Sequence, residues 1–345
     1  MKKTALAALL IIILTLAGCF FMNHSQTGDD SRKLSSEEFF AMDTVMKISA
    51  YGSGAENSLA KARKEIERLE SLWSVSLPDS EISRANTSGK VNASPDTRRI
   101  IETAVSVSSE TGNTFDITIY PVVKAWGFTT GEYRIPDEME LAKLKNLVSS
   151  ARVSFDGETV ILGEGMALDL GAIAKGYASE KAASMLREDG ITSAVLSLGG
   201  NVQVLGTKPD GSPWNVAVQD PAEPNEYAGA VRAADTAIVT SGVYQRYFEK
   251  DGALYHHLID PSTGKPADNG LLSVTIVTKS GTLADALSTA VFIMGEDAAI
   301  DFWRSGVYDF EMIFIKEGGD ISITEGLDGT FTPLGADRRV SIISR

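Results

Sequence analysis

Alternating and helical patterns of apolar residues interleave along the chain from residue 44 onward. In Thr44–Tyr51 (TVMKISAY) apolar and polar residues alternate, which is typical of a half-buried strand. Further strands are predicted over Ala194–Leu198, Trp214–Gln219, Ala237–Thr240, Ser273–Thr278 and Phe310–Lys316. Helical spacing predicts helices over Asn57–Trp73, from Ser94-Pro95 to Gly112, from Pro136, over Gly171–Asp189 and over Thr282–Met294. We therefore predict an α+β domain with mixed and antiparallel sheets and flanking helices.

The N-terminus has the pattern of an export signal followed by a lipidation site. Lys2 and Lys3 precede an apolar run of about a dozen residues, which is too short to span a bilayer as a helix. Small residues then lead directly to Cys19, as in a lipoprotein cleavage site. We predict a signal peptide over residues 1–18, a diacylated Cys19 with a flexible tether over residues 19–35, and a folded domain over residues 36–345. The expected location is the extracytoplasmic or periplasmic side of the cell membrane; a short signal anchor with an incidental cysteine is the alternative.

Composition limits the classes of partner and of stabilising bond. Loss of the two leader lysines would take the net charge from −14 to −16, which argues against nucleic acid as a partner because its binding needs clustered Lys and Arg. Cys19 is the only cysteine, so an internal disulfide is excluded. With 43 % hydrophobic residues the chain can bury a large core, either as one domain or as two fused halves without a linker.

The first segment with candidate chemistry is DLGAIAKG at residues 169–176, directly after an apolar stretch. A glycine-rich turn that enters a helix presents free backbone N–H groups and the positive helix end to a phosphate. Lys175 adds positive charge. Asp169 is suited to accept a hydrogen bond from a hydroxyl or a ring N–H, or to lie beside a metal. The segment matches neither common phosphate-binding glycine motif. An ordinary strand–turn–helix with a surface lysine therefore stays open at this point.

The second segment is HHLIDPSTG at residues 256–264, which contains two of the three histidines. Adjacent residues of a strand point to opposite faces, so we expect at most one of these histidines to enter a given site. A histidine beside a polar turn suits general acid–base catalysis, although a structural histidine explains the spacing equally well. Asp260 is compatible with a simple role in bracing the turn.

The third segment is ADALSTA at residues 284–290, in a helix that is otherwise apolar. Asp285 and Thr289 are four residues apart and therefore share one helix face. Their carboxylate and hydroxyl oxygens suit Mg²⁺, together with a backbone carbonyl, waters and phosphate oxygens. Helix capping by Asp285 is the competing interpretation. The sequence shows no zinc-ligand pattern, GxSxG motif or Cys–His pair, which argues against metalloprotease, serine hydrolase and thiol chemistry.

These three segments and six others, taken in order, resemble the ApbE family over about residues 41–295. The matching segments are AMDTVMKI (41–48), PDSEISRAN (78–86), TFDITI (114–119), WGF (126–128), DLGAIAKGYA (169–178), SLGGNVQVLGTKPDGSPWNVAVQDP (197–221), TSGVYQRYF (240–248), HHLIDPSTGKP (256–266) and ADALSTA (284–290). No single segment is decisive, and the resemblance rests on all nine in register.

The resemblance implies an ApbE-like, T-fold-related fold with two lobes around a flavin cleft. It also implies a Mg²⁺-dependent FAD:protein FMN transferase, which splits FAD at its pyrophosphate, passes FMN to a threonine hydroxyl of a partner protein and releases AMP. The implied acceptor is an extracytoplasmic flavoprotein subunit of the Rnf or Nqr type or a similar one. Two other functions stay open: a FAD pyrophosphatase that gives FMN and AMP, and a non-catalytic flavin-binding lipoprotein.

The resemblance also assigns roles to individual residues. Flavin-nucleotide contacts are implied for Met42, Ser76, Thr114, Phe115, Asp116, Asp169, Lys175, His257 and, through its backbone, Ile259. Metal ligands are implied at the Ala172 carbonyl, Asp285 and Thr289, and the acceptor's proton is expected to go to His257 or Asp285. The chain departs from the family pattern at Ser76, where many relatives have an aromatic residue that stacks on the cofactor, and at Asp43, where they commonly have glycine.

Overall fold

The computed structural model describes residues 33–223, 225–335 and 338–345. The predicted signal peptide, the predicted lipidation site at Cys19 and most of the predicted tether lie outside these ranges. Within them, no helix combines the length and the apolar character needed to cross a membrane.

Helices and strands are interleaved in the described part of the chain, except that ten consecutive strands lie between the sixth and seventh helices. Its eight α-helices are α1 (Ala55–Trp73), α2 (Glu81–Ser88), α3 (Pro95–Glu110), α4 (Tyr120–Trp126), α5 (Glu138–Lys145), α6 (Ala174–Glu188), α7 (Gly281–Met294) and α8 (Glu296–Ser305). Its strands are β1 (Leu34–Ala41), β2 (Thr44–Tyr51), β3 (Lys90–Asn92), β4 (Ser154–Asp156), β5 (Thr159–Ile161), β6 (Ser193–Leu198), β7 (Asn201–Leu205), β8 (Trp214–Gln219), β9 (Tyr227–Ala233), β10 (Thr236–Gly242), β11 (Tyr247–Lys250), β12 (Ala253–His256), β13 (Ile259–Asp260), β14 (Lys265–Pro266), β15 (Leu271–Thr278), β16 (Glu311–Lys316), β17 (Ile321–Thr324), β18 (Phe331–Pro333) and β19 (Val340–Ile343).

One large sheet organises the fold. Its nine strands lie in the order β1-β2-β6-β7-β10-β15-β16-β17-β19. Every neighbouring pair is antiparallel except β17 and β19, which are parallel. Two three-stranded sheets, β18-β9-β8 and β3-β5-β4, and the pairs β11-β12 and β13-β14 accompany it. The α+β class with mixed, mainly antiparallel sheets is therefore confirmed.

Two different layers cover the faces of the main sheet. Met46, Leu196 and Ile276 belong to the cluster that the sheet forms with α1, α6 and α7. Residues such as Val204 and Ile313 belong to a second cluster with β8, β9 and β18. Full burial of one such aliphatic side chain contributes about 1.5–3 kcal/mol. The first cluster therefore holds α6 and α7 against the sheet, and the second cluster covers the opposite face.

Two helices begin later than their apolar patterns predict. α5 begins at Glu138 instead of Pro136, because the Asp137 side chain accepts a hydrogen bond from the Glu140 N–H and caps the helix. α6 begins at Ala174 instead of Gly171, because the residues before it form a turn. Ile173 occupies the capping position of α6 and makes no side-chain cap. The N-terminal amides of α6 must therefore find their partners elsewhere.

Candidate active site

Two glycines allow α6 and α7 to approach each other closely. A Cβ atom on Gly176 would lie 2.2 Å from the Gly281 carbonyl oxygen and 2.6 Å from the Cβ atom of Asp285. A Cβ atom on Gly281 would lie 2.7 Å from the Gly176 carbonyl oxygen. Any larger side chain would push the helices apart, since packed atoms do not approach so closely. The crossing brings the first turn of α6 beside Asp285.

Asp285 completes the N-terminus of α6 from the neighbouring helix. It is 5 % exposed, and its Oδ2 accepts the Gly176 N–H at 2.8 Å. This amide is the third of α6, the position that a side-chain cap normally serves. The positive end of the α6 dipole therefore faces the Asp285 carboxylate. The second oxygen, Oδ1, lies 3.9 Å from Lys175 Nζ, which also donates to the Gly171 carbonyl at 3.0 Å.

Three oxygen atoms around this crossing fit a hard divalent cation. The Ala172 carbonyl accepts no hydrogen bond from the described residues, because the amide four residues later is donated to Asp285. Thr289 lies one turn after Asp285 on α7, and its Oγ1 has a 3.3 Å contact with Ser241 Oγ. The described residues contain no group of three or more His, Cys, Asp or Glu side chains that could hold a metal. A carbonyl, a carboxylate and a hydroxyl are nonetheless suitable donors for Mg²⁺, which keeps several waters.

Asp169 lies just before α6 and is partly buried. Its Oδ1 accepts the Gly171 N–H at 2.7 Å, and its own N–H donates to the Ile117 carbonyl at 2.8 Å. Burial raises the pKa of Asp169, while the positive charges of Arg246 and Lys175 oppose the rise and the negative charge of Asp43 adds to it. Asp169 therefore links Ile117 to the start of α6. With the side chains whose charges act on it, Lys175, Arg246 and Asp43, it forms what we call the polar cluster.

The two adjacent histidines have different environments, as strand geometry predicts. His256 is buried, its Nδ1 accepts the Leu258 N–H at 3.3 Å, and its Nε2 lies 3.0 Å from the Ala267 carbonyl oxygen. Because a carbonyl only accepts, Nε2 must carry the proton, and the neutral ring has both nitrogens engaged. Burial lowers the pKa of His256. His256 is therefore a structural residue.

His257 belongs to the polar cluster. Its backbone N–H and its Nδ1 lie 3.0 and 3.2 Å from the Arg246 carbonyl oxygen. The proton therefore resides on Nδ1, which leaves Nε2 as an acceptor. Burial and then the positive charge of Arg246, with a smaller effect of Lys175, lower the pKa of His257 to about 3. The ring is neutral at pH 7 and can accept a proton on Nε2.

Met42 lies in the two-residue turn between β1 and β2. Met42 and Asp43 both have positive φ angles, 49° and 60°, and Glu70 Oε1 accepts the Met42 N–H at 2.7 Å. Aspartate tolerates the left-handed region better than most residues, so Asp43 can form this tight hairpin turn without glycine. The departure at Asp43 is therefore compatible with an ordered turn beside Asp169.

Asp116 fixes the loop that carries Thr114 and Phe115. It is 6 % exposed and accepts hydrogen bonds from the N–H and hydroxyl of both Thr118 and Ser150, at 2.6–2.8 Å. Phe115 is buried in the main core, and the Thr114 hydroxyl donates to the Thr111 carbonyl at 3.0 Å. The Asp116 side chain therefore has its hydrogen-bonding capacity largely used within the protein.

An open groove of about 800 Å³ begins one helical turn beyond Thr289. Its lining includes Thr114, Asp116, Asp260, Ile293 and Phe302. Asp285, Thr289 and Ile293 follow one another at intervals of four residues on α7, so the polar cluster and the groove lie along one helix face. The distance along that face from Asp285 to Ile293 is about 12 Å at 1.5 Å per residue.

The remaining predicted residues differ in their relation to the cluster. Ile259 is buried in an apolar cluster with Trp126 and Phe128, directly after His257 and Leu258. Asp260 braces its turn, since its carboxylate accepts the N–H and hydroxyl of Ser262, both at 2.8 Å. Ser76 is exposed and bonds locally to Ser74, so the structure gives it no contact with the cluster.

Two residues of the site were not predicted from the sequence. Arg246 is exposed, holds the His257 tautomer through its carbonyl and influences Asp169 through its charge. Its position within the matching TSGVYQRYF segment was the available signal. Glu180 of α6 accepts hydrogen bonds at the start of α7. A surface glutamate in a helix carries no local pattern that indicates such a contact.

Comparisons with known proteins agree with this architecture. Residues 42–314 match the ApbE family. FAD:protein FMN transferase of Vibrio cholerae is 33 % identical over 67 % of this chain and 72 % of its own length. FAD:protein FMN transferase of Klebsiella pneumoniae is 32 % identical over 80 % of this chain and 87 % of its own length.

Solved structures share the fold. The ApbE protein of Thermotoga maritima superposes with a TM-score of 0.80 at 31 % identity, covering 86 % of this chain and 99 % of that one. The flavinyl transferase ApbE of Pseudomonas stutzeri, in its apo form, superposes with a TM-score of 0.78 at 26 % identity, over 86 % and 96 %. The fold, the order of the site segments and the sequence match agree, and the chain belongs to the ApbE family.

Proposed function

We propose that this enzyme transfers FMN from FAD to a threonine hydroxyl of a partner protein, with Mg²⁺ bound, and releases AMP. Flavin transfer as such is supported by relatives named FAD:protein FMN transferase at 28–33 % identity. The observation that carries the finer assignment is that Asp285 keeps one oxygen unengaged by a hydrogen bond and His257 keeps Nε2 free to accept a proton. Lys175 connects the two, because it lies 3.9 Å from Asp285 and, in addition to burial, its charge contributes to the low pKa of His257.

The metal ligands in this proposal are the Ala172 carbonyl, Asp285 and Thr289. When bound, Mg²⁺ supplies positive charge that neutralises the pyrophosphate and its developing negative charge. Lys175 lies beside Asp285 and would hold a phosphate oxygen at the N-terminus of α6. Lys175 would then orient the phosphates for displacement, because the Ala174 and Gly176 amides are already donated to Leu170 and Asp285.

His257 is the proposed general base. The acceptor hydroxyl oxygen attacks the phosphorus of the FMN half, its proton passes to His257 Nε2, and the bond from that phosphorus to the bridging oxygen breaks. AMP leaves with the bridging oxygen. A ring with a pKa of about 3 is a weak base in the free enzyme. A bound pyrophosphate places negative charge beside the ring and would raise its pKa toward the working range.

The remaining flavin contacts are assigned as proposals. The groove along α7 would take one nucleotide end of FAD, with contacts from Thr114, Phe115 and Asp116. The Asp116 side chain is occupied, so we expect this contact through backbone atoms. Met42 and Asp169 would lie on the other side of the cluster, and Ile259 would contribute backbone atoms after His257. Since Ser76 has no ring to stack on the flavin, we expect weaker FAD binding than with an aromatic residue there.

The location and the partner follow from the N-terminal pattern and the family. We propose that Cys19 carries the lipid anchor and holds the enzyme on the extracytoplasmic or periplasmic side of the membrane. The acceptor is then an extracytoplasmic flavoprotein subunit of the Rnf or Nqr type or a similar one. The net charge of −14 argues against nucleic acid as a partner.

The test is to incubate the chain with FAD, Mg²⁺ and such an acceptor, then to measure flavin fluorescence on the denatured acceptor and AMP in solution. Labelled acceptor together with AMP supports the transferase. AMP and free FMN without labelling across a panel of acceptors would replace the proposal with a FAD pyrophosphatase. Bound FAD without either product would leave a non-catalytic flavin-binding protein.

A further inference from the structure

The N-termini of α6 and α7 are capped by each other's side chains. Asp285 of α7 accepts the Gly176 N–H of α6 at 2.8 Å. One turn further along α6, Glu180 Oε2 accepts the Thr282 N–H at 2.9 Å and the hydroxyls of Thr282 and Ser280, both at 2.8 Å. The partners are far apart in the chain: 109 residues separate Gly176 from Asp285, and 100 residues separate Glu180 from Ser280.

Each cap replaces or reinforces a local one. The residue before α6, Ile173, makes no side-chain cap, so the Gly176 amide depends on Asp285. α7 has its own cap, since Ser280 Oγ accepts the Leu283 N–H at 3.2 Å. Glu180 accepts a hydrogen bond from the Ser280 hydroxyl, which orients that serine, and it also accepts the Thr282 N–H. The negative charge of Glu180 at the start of α7 adds a favourable interaction with the helix dipole.

The Gly176–Asp285 bond sets two of the three proposed metal ligands at once. It engages Oδ2 of Asp285 and so leaves Oδ1 toward Lys175. It also draws the Gly176 N–H away from the Ala172 carbonyl, which keeps that oxygen without a hydrogen bond among the described residues. The distance between these two oxygens therefore depends on how α6 and α7 are held together.

We infer that Glu180 is a positioning residue for the metal site: with Gly176 and Gly281 it clamps α6 against α7, so that the Asp285 carboxylate and the Ala172 carbonyl face one cation. The inference rests on the proposed function, because it assumes that these oxygens bind Mg²⁺. Glu180 itself is exposed and has no contact with the three ligands. Its effect is transmitted through the start of α7.

The experiment compares Glu180→Ala, Glu180→Gln and the control Glu188→Gln in the full chain. Glu188 is an exposed glutamate near the end of the same helix, with a contact to Ser184 at 3.4 Å. Mn²⁺ affinity is measured by electron paramagnetic resonance, FAD affinity without metal by fluorescence, and folding by thermal denaturation. Loss of a residue that orients a metal ligand typically lowers affinity by about 10- to 100-fold.

We expect Glu180→Ala to weaken Mn²⁺ binding by at least about tenfold, Glu180→Gln to restore part of it, and metal-free FAD binding and the control to stay near wild type. Mn²⁺ affinity of Glu180→Ala equal to that of the folded wild type would overturn the inference and leave the proposed function intact. A parallel loss of folding and FAD binding in both Glu180 variants would also overturn it, since the role would then be general stability. A wild-type chain that binds no Mn²⁺ would overturn both the inference and the metal part of the proposed function.

Discussion

Asp116 and Asp285 are both almost fully buried, with 6 % and 5 % exposure, but their surroundings differ. Asp116 accepts four hydrogen bonds, from the N–H and hydroxyl groups of Thr118 and Ser150. The Asp285 carboxylate accepts one hydrogen bond from the described residues, from Gly176, and its other oxygen lies 3.9 Å from Lys175. Both carboxylates lie in segments that match the family, so the sequence match alone does not separate their roles.

The carboxylates of Asp116 and Asp285 differ in their remaining capacity to bind a ligand. A buried carboxylate with all its partners in the protein stabilises the fold, whereas one with an unengaged oxygen retains capacity for a ligand. We therefore expect substitutions near Asp116 to change stability and substitutions near Asp285 to change chemistry. The two histidines repeat this contrast, since His256 has both ring nitrogens engaged and His257 has one.

The largest effect is expected for Asp285→Asn. Asparagine has nearly the same shape and can still accept the Gly176 N–H, but it lacks the charge that a metal ligand needs. FMN transfer, measured as kcat/KM, should fall on the order of 10³-fold or more. The melting temperature should change little. Activity above a tenth of the wild-type value would show that Asp285 is not a metal ligand.

His257→Gln should lower kcat by about 10²- to 10³-fold, because it removes the proposed general base. Steady-state kinetics with saturating FAD provides the measurement. The matched control is His256→Gln, whose amide can still donate to Ala267 but cannot accept from Leu258 at the same place. That control should keep its activity while its stability falls; equal rate losses in both variants would remove the contrast between the two histidines.

Asp116→Ala should destabilise the fold by about 3 kcal/mol, since it leaves the buried donors of Thr118 and Ser150 without their acceptor. Urea unfolding at 25 °C measures this change. Below its melting temperature the variant should still transfer FMN. If stability were unchanged and FAD affinity were lost, Asp116 would act directly on the nucleotide through its side chain.

Arg246→Ala is expected to have the smallest effect, a rise in the pKa of His257. Removing a nearby positive charge makes the protonated ring less unfavourable, while burial still holds the pKa below the ordinary 6.5. The protonated form would then appear at higher pH than in wild type. Imidazole NMR titration detects the shift, and Arg246→Lys, which keeps the charge, serves as control. If the pKa of His257 did not change, the guanidinium of Arg246 would not lie close to the ring.

The low pKa values of His256 and His257 also predict how the free energy of unfolding changes with pH. In the unfolded chain both histidines bind a proton below about pH 6.5, but in the folded chain they resist it. Their contribution to stability is therefore present above pH 6.5 and is lost as the pH falls toward the folded pKa. His256→Gln should make the free energy of unfolding, measured with urea, less dependent on pH below about 6.5.

Local patterns predicted five of the eight α-helices and six of the nineteen strands in the described part of the chain, because a single buried face gives a periodic apolar pattern. β2 and α7 have clear apolar periodicity and were predicted within a residue or so. β1 was not predicted, since its sequence LSSEEFFA mixes polar and apolar residues on both faces: Leu34 and Phe40 are exposed together with Ser36 and Glu38. β1 exists because all eight of its residues pair with β2.

The sequence by itself determined the helices and strands with a clear apolar periodicity, the opposite orientation of His256 and His257, and the shared face of Asp285 and Thr289. Each of these depends on geometry within a few neighbouring residues. Only the tertiary structure decided that Asp285 caps α6, that Glu180 caps α7 and that the Arg246 carbonyl fixes the His257 tautomer. These contacts depend on which helix faces meet over the sheet. That meeting is set by the packing of the whole core, which local periodicity does not encode.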